Sequence, residues 1–120
     1  MIMTKAELRR IYLSKRMKLS DDEYRNACDS IGSNFFREID LSKVRVLHSF
    51  LTIAKNKEPD TLLIIQQLQL RYPDLRVSVP RVNADDSMTS FYYEGRRMVV
   101  DSNLGILEPK GGIVTDPRDL

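Results

Sequence analysis

Apolar residues near the start of the chain recur every three or four positions, as they do on one face of a helix. The first such segment runs from about Thr4 to Met17, with Thr4 as a suitable N-cap and a mostly cationic polar face. The second follows Ser20-Asp21-Asp22-Glu23, which has the form of a capping box, and ends near Glu38. The pattern therefore predicts two consecutive amphipathic helices.

The next segments alternate between strand and helix patterns. Val44 to Ile53 is rich in β-branched and aromatic residues and is too apolar for a one-sided strand, which predicts a central strand buried on both faces. Helical spacing returns from Thr61 to Tyr72, and Arg76 to Val79 predicts a short second strand that ends at Pro80. This order implies a right-handed parallel crossover.

The pattern changes after the second strand. Asn83 to Asp86 predicts a turn, and two short segments, Met88 to Tyr93 and Arg97 to Val100, predict a peripheral hairpin around Glu94-Gly95. From Asp101 onward, glycine and proline replace the periodic apolar residues, so we expect regular structure to end there.

Together these elements predict the α/β class. We expect one domain over residues 1–120, with a three-layer α/β/α architecture and a mainly parallel central sheet. Only two segments have the apolar profile of central parallel strands, whereas such sheets normally contain more. The layout therefore predicts a domain that is truncated at its C-terminus, before the next buried strand.

Composition narrows the class of protein. A hydrophobic content of 42% is ordinary for a globular domain, and no apolar run approaches the roughly 18 residues of a membrane span. The single cysteine, Cys28, cannot form an internal disulfide, and we expect it to be buried as a small apolar side chain. The sequence therefore predicts a cytoplasmic protein with no membrane partner and no metal site of its own.

Charge is unevenly distributed. The net charge of +2 is too small for a nucleic-acid footprint, but the first predicted helix is locally basic. Lys5 and Arg9 lie four positions apart and so share one helix face, where they could grip an anionic ligand. From spacing alone, a solvated basic face is the better explanation. Four further cations lie on the same segment: Arg10, Lys15, Arg16 and Lys18.

An ordered series of short motifs extends over nearly the whole chain. In order, these are Lys5-Ala6-Glu7-Leu8-Arg9, Leu19-Ser20, Phe50-Leu51-Thr52, Glu58, Asp60-Thr61, Val79-Pro80-Arg81, Met88 and Leu104-Gly105-Ile106-Leu107-Glu108-Pro109. The series resembles that of the 5-formyltetrahydrofolate cyclo-ligases. Each motif is weak alone, but the common order is specific. One departure is the loop before Glu58, which is lengthened by Lys55-Asn56-Lys57 relative to many members.

The resemblance implies an activity. It implies ATP-dependent closure of 5-formyltetrahydrofolate to 5,10-methenyltetrahydrofolate with magnesium, releasing ADP and phosphate through a phosphorylated formyl intermediate. It also implies a monomer that acts on this small molecule and binds no nucleic acid. The family's glycine-rich phosphate loop, Gly-Tyr-Gly-x-Gly-Tyr-Tyr-Asp, has no counterpart in these residues. Catalytic residues are therefore unassigned, and activity of this chain alone is an open question.

The resemblance also implies binding residues. It assigns Lys5 and Arg9 to ATP, and Glu58 to a polar contact with the folate. Phe50 and Leu51 are assigned to the pterin, although core packing is the better explanation for at least one of them. We expect the two cations and Glu58 to converge on one cleft.

Several further residues have competing interpretations. Arg81 is equally explained as a phosphate or glutamate contact and as a plain surface arginine. His48, inside the apolar strand, is interpreted as a satisfied core histidine rather than a catalytic group. The aromatic residues between positions 88 and 93 are interpreted as sheet packing rather than as a folate lining.

Two functional alternatives remain open. The first is a shortened, non-catalytic paralogue that binds nucleotide or folate, which a stop codon directly after Leu120 would favour. The second is a nucleic-acid-binding module using the basic first helix, which predicts affinity that falls steeply with salt. The acidic residues at positions 21–23 and the lack of an aromatic-studded basic sheet count against the second.

Overall fold

A computed structural model describes residues 2–52, 56–101 and 107–120. Its helices are α1 (Lys5–Met17), α2 (Asp21–Glu38) and α3 (Thr61–Arg71). Its strands are β1 (Val46–His48), β2 (Arg76–Val82), β3 (Met88–Tyr92), β4 (Val99–Asp101) and β5 (Leu107–Pro109). The prediction of a mixed α/β fold is confirmed.

The starts of α1 and α2 are fixed by local side chains. Thr4 Oγ1 accepts a hydrogen bond from the Glu7 amide at 3.1 Å. Ser20 Oγ accepts from the Glu23 amide at 3.1 Å, and Glu23 Oε1 accepts from the Ser20 amide at 2.9 Å. The predicted capping box is therefore confirmed, and the bonds from Ser20 hold the pKa of Glu23 below its usual value.

The main sheet has the order β1-β2-β3 in the described residues. β1 and β2 are parallel and are connected through α3, as predicted, whereas β2 and β3 are antiparallel. A separate antiparallel pair joins β4 to β5. The described sheet is thus mixed, and the three-layer, mainly parallel arrangement and the truncation stay predictions.

The first predicted strand is shorter than expected. β1 covers three residues, after which the Ser49 amide still donates to the Ser78 carbonyl at 2.9 Å before the chain turns away. Its side chains are half-buried or exposed because, in the described residues, β1 lies at the edge of the sheet. Ile53, the last residue of the predicted strand, lies outside the described residues.

The second predicted strand is longer than expected, because Pro80 does not end it. Pro80 pairs with Ser90 of β3, between the hydrogen-bonded positions of the ladder. Its missing N–H therefore points toward β1, which has already ended. Proline is tolerated where no neighbouring strand needs its amide.

The predicted hairpin around Glu94-Gly95 is wrong. β3 pairs with β2 through the predicted turn after Asn83, whose amide donates to the Ser87 carbonyl at 2.7 Å. The chain after Gly95 instead forms a short 3₁₀ turn at Arg96–Met98 and then β4, whose partner is β5. The expectation that regular structure ends at Asp101 is also wrong, because β5 lies beyond it at Leu107–Pro109. Residues 102–106 lie outside the described residues.

The core lies between α3 and one face of the main sheet. Ile65, Leu68 and Val79 are fully buried there, and Val77 is almost so. Other members of the same cluster are Leu41, Leu51, Leu62, Leu75 and Tyr93, with Phe35 and Phe36 of α2 packed against it. This packing fixes the carboxyl ends of β1 and β2 relative to α3, where ligands of open α/β sheets bind.

The opposite face of the sheet is polar and is covered by the last residues of the chain. The Thr115 amide donates to the Ser90 carbonyl at 2.8 Å, so this segment runs beside β3. Tyr92 Oη donates to Asp119 Oδ2 at 2.5 Å, and the Arg76 guanidinium lies 3.5 Å from the Tyr92 ring centroid. Aromatic packing by β3 is therefore confirmed for Tyr92.

Candidate functional site

The segment between β1 and α3 is closed at its base by two buried threonines. Thr52 Oγ1 donates to the Pro59 carbonyl at 2.8 Å and accepts from the Thr61 amide at 2.9 Å. Thr61 Oγ1 donates to the Phe50 carbonyl at 2.8 Å. These bonds cap α3, since Asp60 makes no capping bond with its own side chain. The loop that carries Glu58 therefore has fixed ends.

The middle of this loop is held by α2. Tyr24 Oη donates to the Glu58 carbonyl at 2.6 Å, and Arg25 Nη1 lies 3.2 Å from Asp60 Oδ2. Burial, followed by the hydrogen bond with Cys28, raises the pKa of Tyr24 to about 12, so the phenol stays a donor at neutral pH. Glu58 is half-buried beside these contacts.

The same loop also reaches the end of α1. Lys57 Nζ donates to the Met17 carbonyl at 3.3 Å and to the Leu19 carbonyl. These oxygens lie where a helix lacks internal donors and carries partial negative charge. The backbone amides of Lys18 and Leu19 cap the Lys15 and Arg16 carbonyls, and Lys57 adds a side-chain donor just beyond them.

Phe50 and Leu51 point to different environments. Leu51 is 6% exposed and belongs to the core cluster, whereas Phe50 is 49% exposed at the carboxyl side of β1. Of these two residues, Phe50 is therefore the one that presents apolar surface to solvent.

Lys5 and Arg9 are exposed on the first two turns of α1. With a rise of about 1.5 Å per residue, Lys5 lies about 18 Å and Arg9 about 12 Å along the axis from Met17, where Lys57 binds. The described contacts thus join the Glu58 loop to the far end of the helix that carries both cations. Convergence of all three side chains on one cleft stays a prediction.

Arg81 is anchored at the end of β2. Its Nε donates to Asn83 Oδ1 at 3.2 Å and its Nη1 to the Lys110 carbonyl at 3.0 Å, while the guanidinium lies 4.8 Å from the Phe91 ring centroid. These two bonds use two of the five N–H donors of the side chain. Arg81 is therefore pre-oriented rather than a freely moving surface arginine.

His48 is not the core histidine that its apolar strand suggested. The residue is exposed, and its Nδ1 lies 3.2 Å from Ser78 Oγ, which in turn lies 2.7 Å from Thr115 Oγ1. Ser78 is fully buried, so the polar chain runs from the surface into the sheet. The edge position of β1 explains the exposure.

Two cavities lie away from the predicted binding residues. A groove of about 650 Å³ between α2 and α3 is lined by Cys28, Gly32, Phe36, Ile64 and Arg71, among others. A second, of about 560 Å³, lies beside Arg45 and the last 3₁₀ turn, Pro117–Asp119. Cys28 itself is buried, as expected.

The described residues contain neither a cluster of metal ligands nor a membrane-spanning helix. In residues 2–52, 56–101 and 107–120, no group of three or more His, Cys, Asp or Glu side chains could hold a metal ion. Over the same part of the chain, none of the helices combines the length and the apolar character needed to cross a bilayer.

Sequence reasoning did not predict the residues that hold the Glu58 loop, which are Tyr24, Thr52, Lys57 and Thr61. From the sequence alone, Tyr24 has no assigned role, and Thr52 and Thr61 enter only as positions of the motif series. Their hydrogen bonds join positions that are distant in sequence or separated by the loop, so no local pattern could reveal them. Lys57 lay in the segment that departs from the family pattern.

Solved structures resemble this fold closely. A 5,10-methenyltetrahydrofolate synthetase from Aquifex aeolicus superposes with a TM-score of 0.76 and 23% sequence identity, covering 98% of this chain and 58% of that protein. A 5,10-methenyltetrahydrofolate synthetase from Mycoplasma pneumoniae gives a TM-score of 0.62 and 21% identity, covering 78% of this chain and 56% of that protein.

The chain thus spans less than two thirds of the length of either neighbour. No protein-family model matches it, and no curated protein matches it. Both structural neighbours nevertheless belong to the family whose motif series this sequence resembles, so the resemblance is confirmed at the level of the fold. This chain has the fold of the 5,10-methenyltetrahydrofolate synthetases.

Proposed function

We propose that this chain forms the nucleotide- and folate-binding part of an ATP-dependent 5-formyltetrahydrofolate cyclo-ligase. The observation that carries the proposal is the superposition of 98% of the chain on a 5,10-methenyltetrahydrofolate synthetase with a TM-score of 0.76. The ordered motif series, which resembles the same family, also supports it.

The proposed reaction closes a ring by activating a poor leaving group. The formyl oxygen of 5-formyltetrahydrofolate attacks the γ-phosphorus of ATP, and the bond to ADP breaks. The neighbouring folate nitrogen then attacks the formyl carbon and loses its proton, and the oxygen departs with phosphate to leave 5,10-methenyltetrahydrofolate. The protein's share of such a transfer is mainly positioning and stabilisation of negative charge.

Each predicted residue has a role in this proposal. Lys5 supplies a point charge and Arg9 a planar fork to the phosphates of ATP. Glu58 makes a polar contact with the folate, and Phe50 covers the pterin from the edge of β1. Leu51 contributes from the core by fixing the backbone of Phe50.

The proposal also covers the role of Arg81, the binding of magnesium, and the location and oligomeric state of the protein. Arg81, pre-oriented by Asn83 and Lys110, contacts phosphate or the glutamate of the folate. Magnesium is commonly bound through substrate phosphates and one or two carboxylates, so it would accompany ATP. We propose a cytoplasmic monomer that acts on a small molecule in one-carbon metabolism.

Calorimetry with a non-hydrolysable ATP analogue tests the binding roles. Removing one hydrogen bond to a charged group costs about 1.5–3 kcal/mol, so Arg9→Ala and Lys5→Ala should each weaken binding at least tenfold. The matched control is Arg10→Ala, which removes the same side chain from a different face of α1 and should leave affinity within about twofold.

Turnover is tested with 5-formyltetrahydrofolate, ATP and magnesium, by following the absorbance of the methenyl product. Both this chain and the full reading frame that contains it should be assayed. Product from either supports the cyclo-ligase. Binding of both ligands without product from either would favour the non-catalytic alternative, and binding of neither would overturn the proposal.

A further inference from the structure

Lys57 joins two parts of the molecule that the proposed function assigns to different ligands. Its amine donates to the Met17 and Leu19 carbonyls, at the end of the helix that carries Lys5 and Arg9. Its backbone directly precedes Glu58. One side chain therefore links the nucleotide helix to the folate loop.

The attachment of α1 is slight, which makes this link significant. None of the thirteen residues of α1, all of them described by the structure, is buried. Leu8, Tyr12 and Leu13 are 40–62% exposed and Ile11 is half-buried, so apolar packing fixes α1 less firmly than it fixes α3. A helix with little buried apolar surface can change position at a smaller cost in free energy than a core helix.

The backbone of Lys57 is in an unfavourable conformation. Its φ of 51° lies in the left-handed region, which is unfavourable for a residue with a side chain. The bonds of its amine to the end of α1 offset that cost. If α1 moves away, those bonds break and the residue can return to an ordinary conformation.

Other contacts limit a conformational change at Lys57 to the described residues next to it. Thr52 and Thr61 fix both ends through buried hydrogen bonds. The Glu58 carbonyl, by contrast, is held by Tyr24 from α2, next to the Lys57 contact. A change at Lys57 therefore reaches Glu58 before it reaches the core.

We infer that Lys57 is a positioning residue that couples nucleotide binding on α1 to folate binding at the Glu58 loop. The inference rests on the proposed function, which places the two ligands at these sites. A nucleotide that fixes α1 also fixes the Lys57 amine and hence the loop, so the first ligand reduces the cost of ordering the site for the second. By thermodynamic linkage, folate must strengthen nucleotide binding by the same factor as nucleotide strengthens folate binding.

The test measures the affinity of a non-hydrolysable ATP analogue with and without saturating 5-formyltetrahydrofolate. Coupling free energies typically correspond to factors of about 5–150, and we expect the folate to strengthen nucleotide binding by a factor in this range. Lys57→Met keeps the length of the side chain but removes its donors. In this variant the folate should change the affinity for the ATP analogue by a factor close to one, while each ligand alone still binds.

Two further variants and a control separate positioning from general damage. Lys57→Arg retains donors and should preserve the coupling factor, whereas Tyr24→Phe removes the bond to the Glu58 carbonyl and should reduce it. Lys43→Met removes an exposed charge that precedes the amino end of β1 and should leave the coupling factor unchanged. Circular dichroism checks that each variant is folded. If Lys57→Met does not fold, the coupling factor of Tyr24→Phe tests the positioning role instead.

The possible failures are distinct. If neither ligand binds the unmodified protein, the proposed function itself is wrong. If both bind but the unmodified protein shows no coupling, or if Lys57→Met and Tyr24→Phe keep the full factor, the positioning role is overturned while the proposed function stands.

Discussion

The helices α1 and α3 have similar apolar spacing but very different surroundings. In α3, Ile65 and Leu68 are fully buried against the sheet. In α1, the equivalent apolar positions Leu8 and Tyr12 are 40% and 62% exposed. The period of a sequence therefore predicts that a helix forms, but burial depends on which surface the rest of the chain provides.

This difference separates a buried core helix from a lightly packed surface helix. α3 and the parallel strands fix the carboxyl edge of the sheet, on which Phe50 and the Glu58 loop are placed. The two cations assigned to ATP lie instead on the lightly packed α1. Ligand-binding elements are commonly drawn from the less stable parts of a protein, and α1 has that character.

The sharpest test of the comparison is truncation of one side chain in each helix. Ile65→Ala should lower the free energy of unfolding by about 2–5 kcal/mol, because it leaves a cavity in a fully buried site. Leu8→Ala, the matched change on α1, should cost less than about 1 kcal/mol. Urea unfolding followed by circular dichroism measures both, and equal losses would contradict the contrast.

The base of the Glu58 loop provides the next largest effect. Thr52→Val removes the buried hydroxyl that bonds to Thr61 and Pro59, leaving those groups unsatisfied at a cost of about 1–3 kcal/mol. Thr52→Ser keeps the hydroxyl and is the control, with a smaller loss expected from the missing methyl group. Urea unfolding again gives the values, and a larger loss for Ser than for Val would show that packing, not hydrogen bonding, dominates.

Tyr24 gives a smaller effect with a characteristic pH dependence. Tyr24→Phe removes the bond to the Glu58 carbonyl and should cost about 1 kcal/mol near neutral pH. The folded-state pKa of Tyr24 is raised from 10.0 to about 12, so the neutral phenol stabilises the fold fully below pH 10. The stability difference between the two proteins should therefore shrink as the pH rises from 10 to 12. A difference that grew over this range would contradict the assignment.

These contrasts also show what the sequence could predict. The capping motif at Ser20, the strand-helix-strand unit around α3 and the core face of α3 depend on local patterns, and all were predictable. The pairing of β3 with β2, rather than with the segment after Gly95, was not. Both alternatives have acceptable turns and alternating residues, and the choice depends on which partner buries Phe91 and Tyr93 against the core.

The candidate site divides in the same way. Lys5, Arg9 and Glu58 could be selected by motif, because the motif series places them in order along the chain. The residues that hold Glu58 could not, since Tyr24 lies 34 positions away in sequence and acts on a backbone carbonyl. Such bonds leave no pattern of residue types, and only the fold brings their partners together.

The smallest expected effect concerns the capping box that starts α2, close to the junction held by Lys57. The hydrogen bonds from Ser20 lower the pKa of Glu23 below its usual 4.5, so the ionised carboxylate stabilises the fold above pH 4.5. That contribution is lost as the pH falls through the folded-state pKa. Urea midpoints should therefore differ between the unmodified protein and Glu23→Gln at pH 7 and converge in acid. In a Ser20→Ala background the difference at pH 7 should shrink only in part, because the hydroxyl is lost but the backbone amide at position 20, the larger cause of the lowered pKa of Glu23, still donates to the carboxylate.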